Sequence, residues 1–402
     1  MVVSLTGQIL ALGGLAILGL LVNRLLKLEL TLACLLCGFL AGHGIGAIGF
    51  DTGIRAHNLQ EIVFFIILPV LIFEAAWHLK LQLLRQWLGP VLILATLGVL
   101  INCFVTAGFV YLGIGHPQGF PWVAALLTGA ILAATDPIAV IAQLRSQNAP
   151  ENLTTLFEGE SLFNDASAVV LFAIVLSFAT QSGGSQESSY LQFFATVFFG
   201  GMLSGLLIGL VSTAVVLIIG KPASTAFVLV FTAFGSFYIA EHVLHVSGIM
   251  AVMSSALIIR LLLVEVEATV AEGVGFTWDW LGLFFSSVLF VIMGLVITID
   301  MFQERWLAML IAIAAALVAR GIAVGICGLL TRPFTNTIPL AWQILLTWGG
   351  LRGAIAIALV LSLPVELDYW WTVQSMVFGV VLFSLLVQGT TNKALINRLS
   401  GP

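Results

Sequence analysis

Apolar runs of membrane-spanning length follow one another along almost the whole chain, and this leaves one class of fold open. A spanning helix needs about 20 predominantly apolar residues, because lipid offers no partner to backbone amides and each must be satisfied within its own segment. Windows bounded by charges, Gly and Pro fall at 8–26, 30–49, 60–79, 89–113, 120–144, 155–180, 190–219, 222–244, 248–264, 276–299, 306–331, 338–363 and 368–392. The expectation is an all-α polytopic membrane protein with about 13 transmembrane helices. Of the 402 residues 60% are hydrophobic and 8% charged, against roughly 25% charged in soluble domains. A water-soluble fold is excluded, no soluble catalytic domain fits between the segments, and the chain reads as no enzyme. Lipid is the partner this composition implies. Nothing points to nucleic acid or to a cofactor.

The basic residues orient the helices. With the N-terminus outside, the cytoplasmic side receives Arg24, Lys27, Lys80, Arg85, Arg145, Lys221, Arg260, Arg332, Lys393 and Arg398, and the outside only Arg55 and Arg305. Positive residues favour the cytoplasm, so the C-terminus is expected there. A miscounted span would scramble the asymmetry. The first apolar run has no basic leader and outlasts a signal peptide, so it reads as a retained helix. Cys34, Cys37, Cys103 and Cys327 all lie within apolar runs and read as packing residues rather than a metal or redox pair.

Thirteen helices divide as six, one and six, and a single crossing inverts the second six relative to the first. Helices 5 and 12 then correspond, and both are interrupted. Helix 5 contains Ala134-Thr135-Asp136-Pro137, where Pro removes a backbone donor and pushes its predecessor out of the helical region. Helix 12 contains Gly349-Gly350-Leu351-Arg352-Gly353. Matched breaks carrying opposite charges predict two discontinuous helices crossing near the midplane, where transporters place their sites.

Ionised side chains inside the bilayer cost at least ~2.5–3.5 kcal/mol each and mark function by default. The acids are Glu74, Asp136, Glu160 and Asp165, with Glu158 nearer the entrance of helix 6; the bases are Arg320 and Arg352. The surplus of acid favours cations and protons over anions. Ser161 and Asp165 are four residues apart and share a helix face, as do Glu160 and Asn164 on the neighbouring face. Glu160 and Asp165, five apart, point differently. Arg352 suits Glu160 as a bidentate partner, making a structural charge pair, while Arg320 is assigned to compensate Asp136. Asp165 is left without a fixed cation. Desolvation and the nearby Glu74 then favour its protonated form, and Glu74, Ser161, Asp165 and carbonyls freed at Thr135 offer oxygen ligands to a small hard cation. Na⁺ and H⁺ compete for Asp165.

These motifs, with Phe73-Glu74-Ala75, Glu158-Gly159-Glu160-Ser161 leading to Asn164-Asp165, and Gly349-Gly350-Leu351-Arg352-Gly353-Ala354, resemble those of the NhaP-type sodium/proton antiporters. That family is related to the animal sodium/proton exchangers within the cation/proton antiporter superfamily. The resemblance spans the chain. It implies a homodimer in the prokaryotic cytoplasmic membrane that serves pH homeostasis. A dimerisation domain (1–88 and 181–300) would hold a transport bundle (89–180 and 301–402) that moves like an elevator. It also implies that Asp165 carries ion and proton with help from Ser161, Glu74 and the Thr135 backbone, that Asn164 organises the site, and that Glu160 and Arg352 form the structural pair. Asn164 before Asp165 marks the members that look electroneutral, exchanging one Na⁺, or Li⁺, for one H⁺. Exchange of K⁺ or Ca²⁺ for H⁺ on the same fold, and a cation channel, remain open. An aspartyl protease using Asp136 and Asp165 is disfavoured, since neither acid lies in a Gly-x-Gly-Asp context. His43, His57, His78, His116, His242 and His245 fall near interfaces and read as packing residues, with pH sensing the alternative.

Overall fold

The structure, a computed structural model, describes residues 5–47, 62–115, 119–180, 190–263, 268–333 and 336–399. Arg55, His57 and His116 lie outside the described residues. Helices coincide with the apolar windows: α1 Leu5–Leu26, α2 Leu30–Ala47, α3 Val63–His78, α4 Leu81–Gly113, α5a Trp122–Ile131, α5b Ile138–Ser146, α6 Glu151–Ala179, α7 Tyr190–Ile219 and α8 Pro222–Tyr238, which continues through Ile239–Val243. Then come α9 Gly248–Leu262, α10 Ala268–Val296, α11 Ile299–Leu330, α12a Leu340–Trp348, α12b Ala354–Leu361 and α13 Trp370–Leu399. Eight of the helices among the described residues are long and apolar enough to cross a membrane by themselves.

The windows fail most at their polar ends. Helix 4 was expected from residue 89, yet α4 starts at Leu81, so the domain boundary expected after residue 88 falls inside it. Helical spacing explains the extra turns: Leu84 and Trp87 turn inward and are buried, while Arg85 and Gln86 face out. Further on, Pro90 withholds an amide from Gln86 O, which accepts from Asn336 Nδ2 at 2.9 Å instead, and the helix continues through a widened turn at Leu94–Gly98.

Packing sorts the helices into two sets. α4, α5, α6, α11, α12 and α13 pack on one another, as do α1, α2, α3, α7, α8, α9 and α10. The sets meet where α3, α7 and α9 touch α6, where α10 touches α12b, and where α2 touches α13. All four cysteines are free and buried. They pack as small apolar residues.

Candidate ion-binding site

Both predicted breaks are present, and they meet. α5 stops at Ile131 and resumes at Ile138; α12 stops at Trp348 and resumes at Ala354. The extended segments touch, with the Asp136 amide donating to Leu351 O at 2.8 Å. Two interrupted helices expose four sets of backbone groups that have no partner in their own helix, and the two charges at the breaks answer them. The Asp136 carboxylate accepts from Ile138 N at 3.1 Å and from Ala354 N at 3.1 Å, so one acid caps the N-termini of both α5b and α12b. Arg352 Nη1 donates to Ala133 O at 3.1 Å and Ala134 O at 2.8 Å, capping the C-terminus of α5a. Each charge lies at the dipole end it stabilises. Gly353 allows the approach, since a Cβ there would overlap Asp136 Oδ2.

Neither expected ion pair forms. Glu160 pairs with Arg320 of α11, not with Arg352: Nη1 to Oε1 is 2.8 Å and Nη2 to Oε2 is 2.9 Å, a two-pronged bond between fully buried groups. Arg320 Nε also donates to Leu346 O at 3.2 Å, closing the C-terminus of α12a, where Gln388 Nε2 donates to Trp348 O at 2.9 Å. Asp136, assigned to Arg320 on sequence, instead serves backbone amides. The reason is geometric: a guanidinium in an extended break lies nearest to the carbonyl ends of the other break, whereas Arg320, on the helical stretch of α11 beyond its kink at Arg305, reaches the flank of α6.

Asn164 joins this anchored corner to the break. Its Nδ2 donates to Glu160 Oε1 at 2.9 Å and to Thr135 Oγ1 at 3.1 Å. Ser161 Oγ donates to Thr135 O, which leaves the lone pairs of the hydroxyl oxygen available as a ligand. One residue further along, Asp165 differs from every other acid here. Its Oδ1 is buried and has no hydrogen-bond partner among the described residues, and Asn164 Oδ1 shares that condition. Buried acceptors without donors are rare and costly.

Asp165 lines a cavity of about 290 Å³ at the seam between the two sets, together with Glu74, Thr135, Asp136 and Ser161. Four of the five expected ion-site residues thus share one cavity, and Asn164 braces them from behind. Toward the basic end of the bundle the cavity reaches His78, Arg145 and Glu158, where Arg145 holds Glu158 at 2.8 Å and Lys80 holds Glu151 at 2.6 Å. Glu74 lies 3.9 Å from His78 Nε2, while Lys80 is engaged elsewhere. Sequence reasoning missed Asp279, which lies in the same mouth. It falls inside the helix 10 window between Trp278 and Trp280. Outside the spans, Glu29 joins α1 to α2, and burial, reinforced by the charge of Asp136, pushes its carboxyl up to about 7.

The chain matches the family described as "Sodium/hydrogen exchanger, transmembrane" over residues 12–398. It is 36% identical over 372 residues to the Na(+)/H(+) antiporter ApNhaP of Aphanothece halophytica, covering 89% of this chain and 68% of that protein. It is 33% identical over 407 residues to the Na(+)/H(+) antiporter NhaH of Halobacillus aidingensis, covering 98% and 97%. The fold is similar to that of the sodium proton antiporter MjNhaP1 from Methanocaldococcus jannaschii at pH 8, with a TM-score of 0.85, 21% identity and 100% of each chain covered. A membrane protein with two crossed broken helices, matched along nearly its whole length, the chain belongs to the sodium/hydrogen exchanger family.

Proposed function

We propose that the protein exchanges Na⁺ for H⁺ by alternating access, with the two ions competing for the carboxylate of Asp165. The observation that carries this reading is Asp165 Oδ1, buried at a cavity wall and without a hydrogen-bond donor among the described residues. An acid in that condition gains by taking either a proton or a cation. Na⁺ would be held by Asp165, Ser161 Oγ, Glu74 and Thr135, an all-oxygen set suited to a hard ion. Asn164, tied to both Glu160 and Thr135, organises those ligands. It carries no charge of its own, which supports a one-for-one, electroneutral cycle.

In this reading the chain crosses the cytoplasmic membrane thirteen times, with the N-terminus outside and the C-terminus inside. The cavity opens to the cytoplasm, the side of Lys80 and Arg145. The set containing α5, α6 and α12 is the moving transport bundle, and the set containing α1, α2 and α7 to α10 is the dimerisation scaffold of a homodimer. Arg320 and Glu160, together with the caps supplied by Asp136 and Arg352, keep the bundle rigid as it moves.

Proteoliposomes carrying a pH dye test the proposal. Adding Na⁺ is expected to drive H⁺ movement by the wild type and none by Asp165→Asn. Sodium-driven exchange retained by that variant refutes the assignment.

A further inference from the structure

At the mouth of the cavity three possible ligands converge from two helices. Phe73 and Trp278, both fully buried, stack with ring centroids 4.2 Å apart and fix the register of α3 against α10. The next residue on each helix is an acid, so this stack brings Glu74 and Asp279 together. Gly282, one turn beyond Asp279, lets α10 close on Glu74: a Cβ there would meet Glu74 Cγ at 3.0 Å and Cδ at 3.1 Å. His78, one turn beyond Glu74, completes the group. Its Nε2 is 3.1 Å from Asp279 Oδ1 and 3.9 Å from Glu74 Oε1, and one ligand atom from each residue lies within 4.8 Å of the others.

That imidazole nitrogen is buried and makes no well-formed hydrogen bond among the described residues. The neighbouring cations are occupied elsewhere: Arg145 is on Glu158 at 2.8 Å, and Arg260 lies over the Trp77 ring at 5.3 Å. Two carboxylates therefore face one imidazole, with a single turn of helix separating two of the three ligands. Metal–ligand bonds of about 2.0–2.2 Å place tetrahedral ligand atoms about 3.4 Å apart. The observed separations reach that value with shifts of well under a side-chain rotamer. An imidazole with two carboxylates suits a borderline first-row cation, whereas Mg²⁺ and Ca²⁺ prefer oxygen alone.

We propose that Glu74, His78 and Asp279 form a binding site for a first-row divalent cation such as Zn²⁺ at the mouth of the Asp165 cavity, and that an ion held there blocks exchange. The blocking half rests on the cavity being the ion path; the binding half does not. A cation at this point draws Glu74 away from Na⁺ and sets a double positive charge across the route to Asp165.

Calorimetric titration of the purified protein with Zn²⁺ tests binding, and proteoliposome exchange tests the block. Wild type and Asp165→Asn are both expected to bind Zn²⁺. His78→Gln and Asp279→Asn are expected to weaken binding at least about tenfold, each losing one of three ligands, while still exchanging Na⁺ for H⁺ in the absence of Zn²⁺. Zn²⁺ is expected to inhibit wild-type exchange only from the face to which the cavity opens, and Mg²⁺ at equal concentration to do nothing. Binding unchanged in both variants, or matched by Mg²⁺, overturns the site. Zn²⁺ that binds to saturation and leaves exchange untouched overturns the block and the reading of the cavity as the ion path, but not the site.

Discussion

Glu160 and Asp165 stand on one helix, five residues apart, and their surroundings could hardly differ more. Both oxygens of Glu160 are held by Arg320, and one also receives Asn164. Asp165 keeps one oxygen, Oδ1, with no hydrogen-bond partner among the described residues, and faces a cavity. A buried acid whose acceptors are filled by fixed donors is a structural charge. One whose acceptor is left open is available to an exchangeable ion, and a few residues of helix separate the two roles.

The sharpest way to break this contrast is to exchange the fates of the two acids. Arg320→Ala strands a fully buried Glu160, and removing one partner of a buried pair costs about 3–5 kcal/mol. The variant is expected to lose most folded protein in detergent size-exclusion chromatography, and Glu160→Gln in the same chain to recover part of it. Asp165→Asn is expected to do the reverse, abolishing exchange while its melting temperature stays at or above that of the wild type. If Asp165→Asn unfolds as readily as Arg320→Ala, the distinction between the two acids is wrong.

Gly353→Ala probes the crossing that both acids lean on. Its methyl group overlaps Asp136 Oδ2, and overpacking of this kind costs about 1–3 kcal/mol. A lower melting temperature with slower exchange is expected. Asn164→Asp sharpens the comparison from between the two acids by placing a second charge beside Asp165. Exchange measured at imposed membrane voltages is expected to become voltage-dependent in this variant and to be voltage-independent in the wild type. The smallest effect is expected at Glu29→Gln. Because the folded chain holds this carboxyl at about 7 against an ordinary 4.5, it favours the protonated form. Its contribution to stability is complete below about 4.5 and fades as pH rises toward 7. Melting temperatures recorded from pH 5 to 8 are expected to fall slightly less in the variant.

The sequence made much of this legible for identifiable reasons. Apolar length marked the helices, and Pro137 and Gly349 to Gly353 marked both breaks, because Pro removes a backbone donor and clustered Gly raises the entropic cost of holding a helix. Spacing along α6 separated Glu160 from Asp165, since a helix fixes angles between its own residues. What it left hidden was which helix faces which. Spacing alone assigned Arg352 to Glu160 and Arg320 to Asp136, and only the placement of Arg320 of α11 against α6 reversed the first assignment; the carbonyls at Ala133 and Ala134 were invisible as acceptors. Asp279 escaped because its importance comes from α3, more than 200 residues away in the chain.

The central claim is that Na⁺ and H⁺ exclude one another at Asp165. Adding Na⁺ to the purified protein in weakly buffered detergent, with a pH indicator, measures this without transport. About one proton released per Na⁺ bound is expected from the wild type at low pH, with release falling as pH rises and absent in Asp165→Asn. Sodium binding with no proton released at any pH, or equal release from the variant, would contradict it.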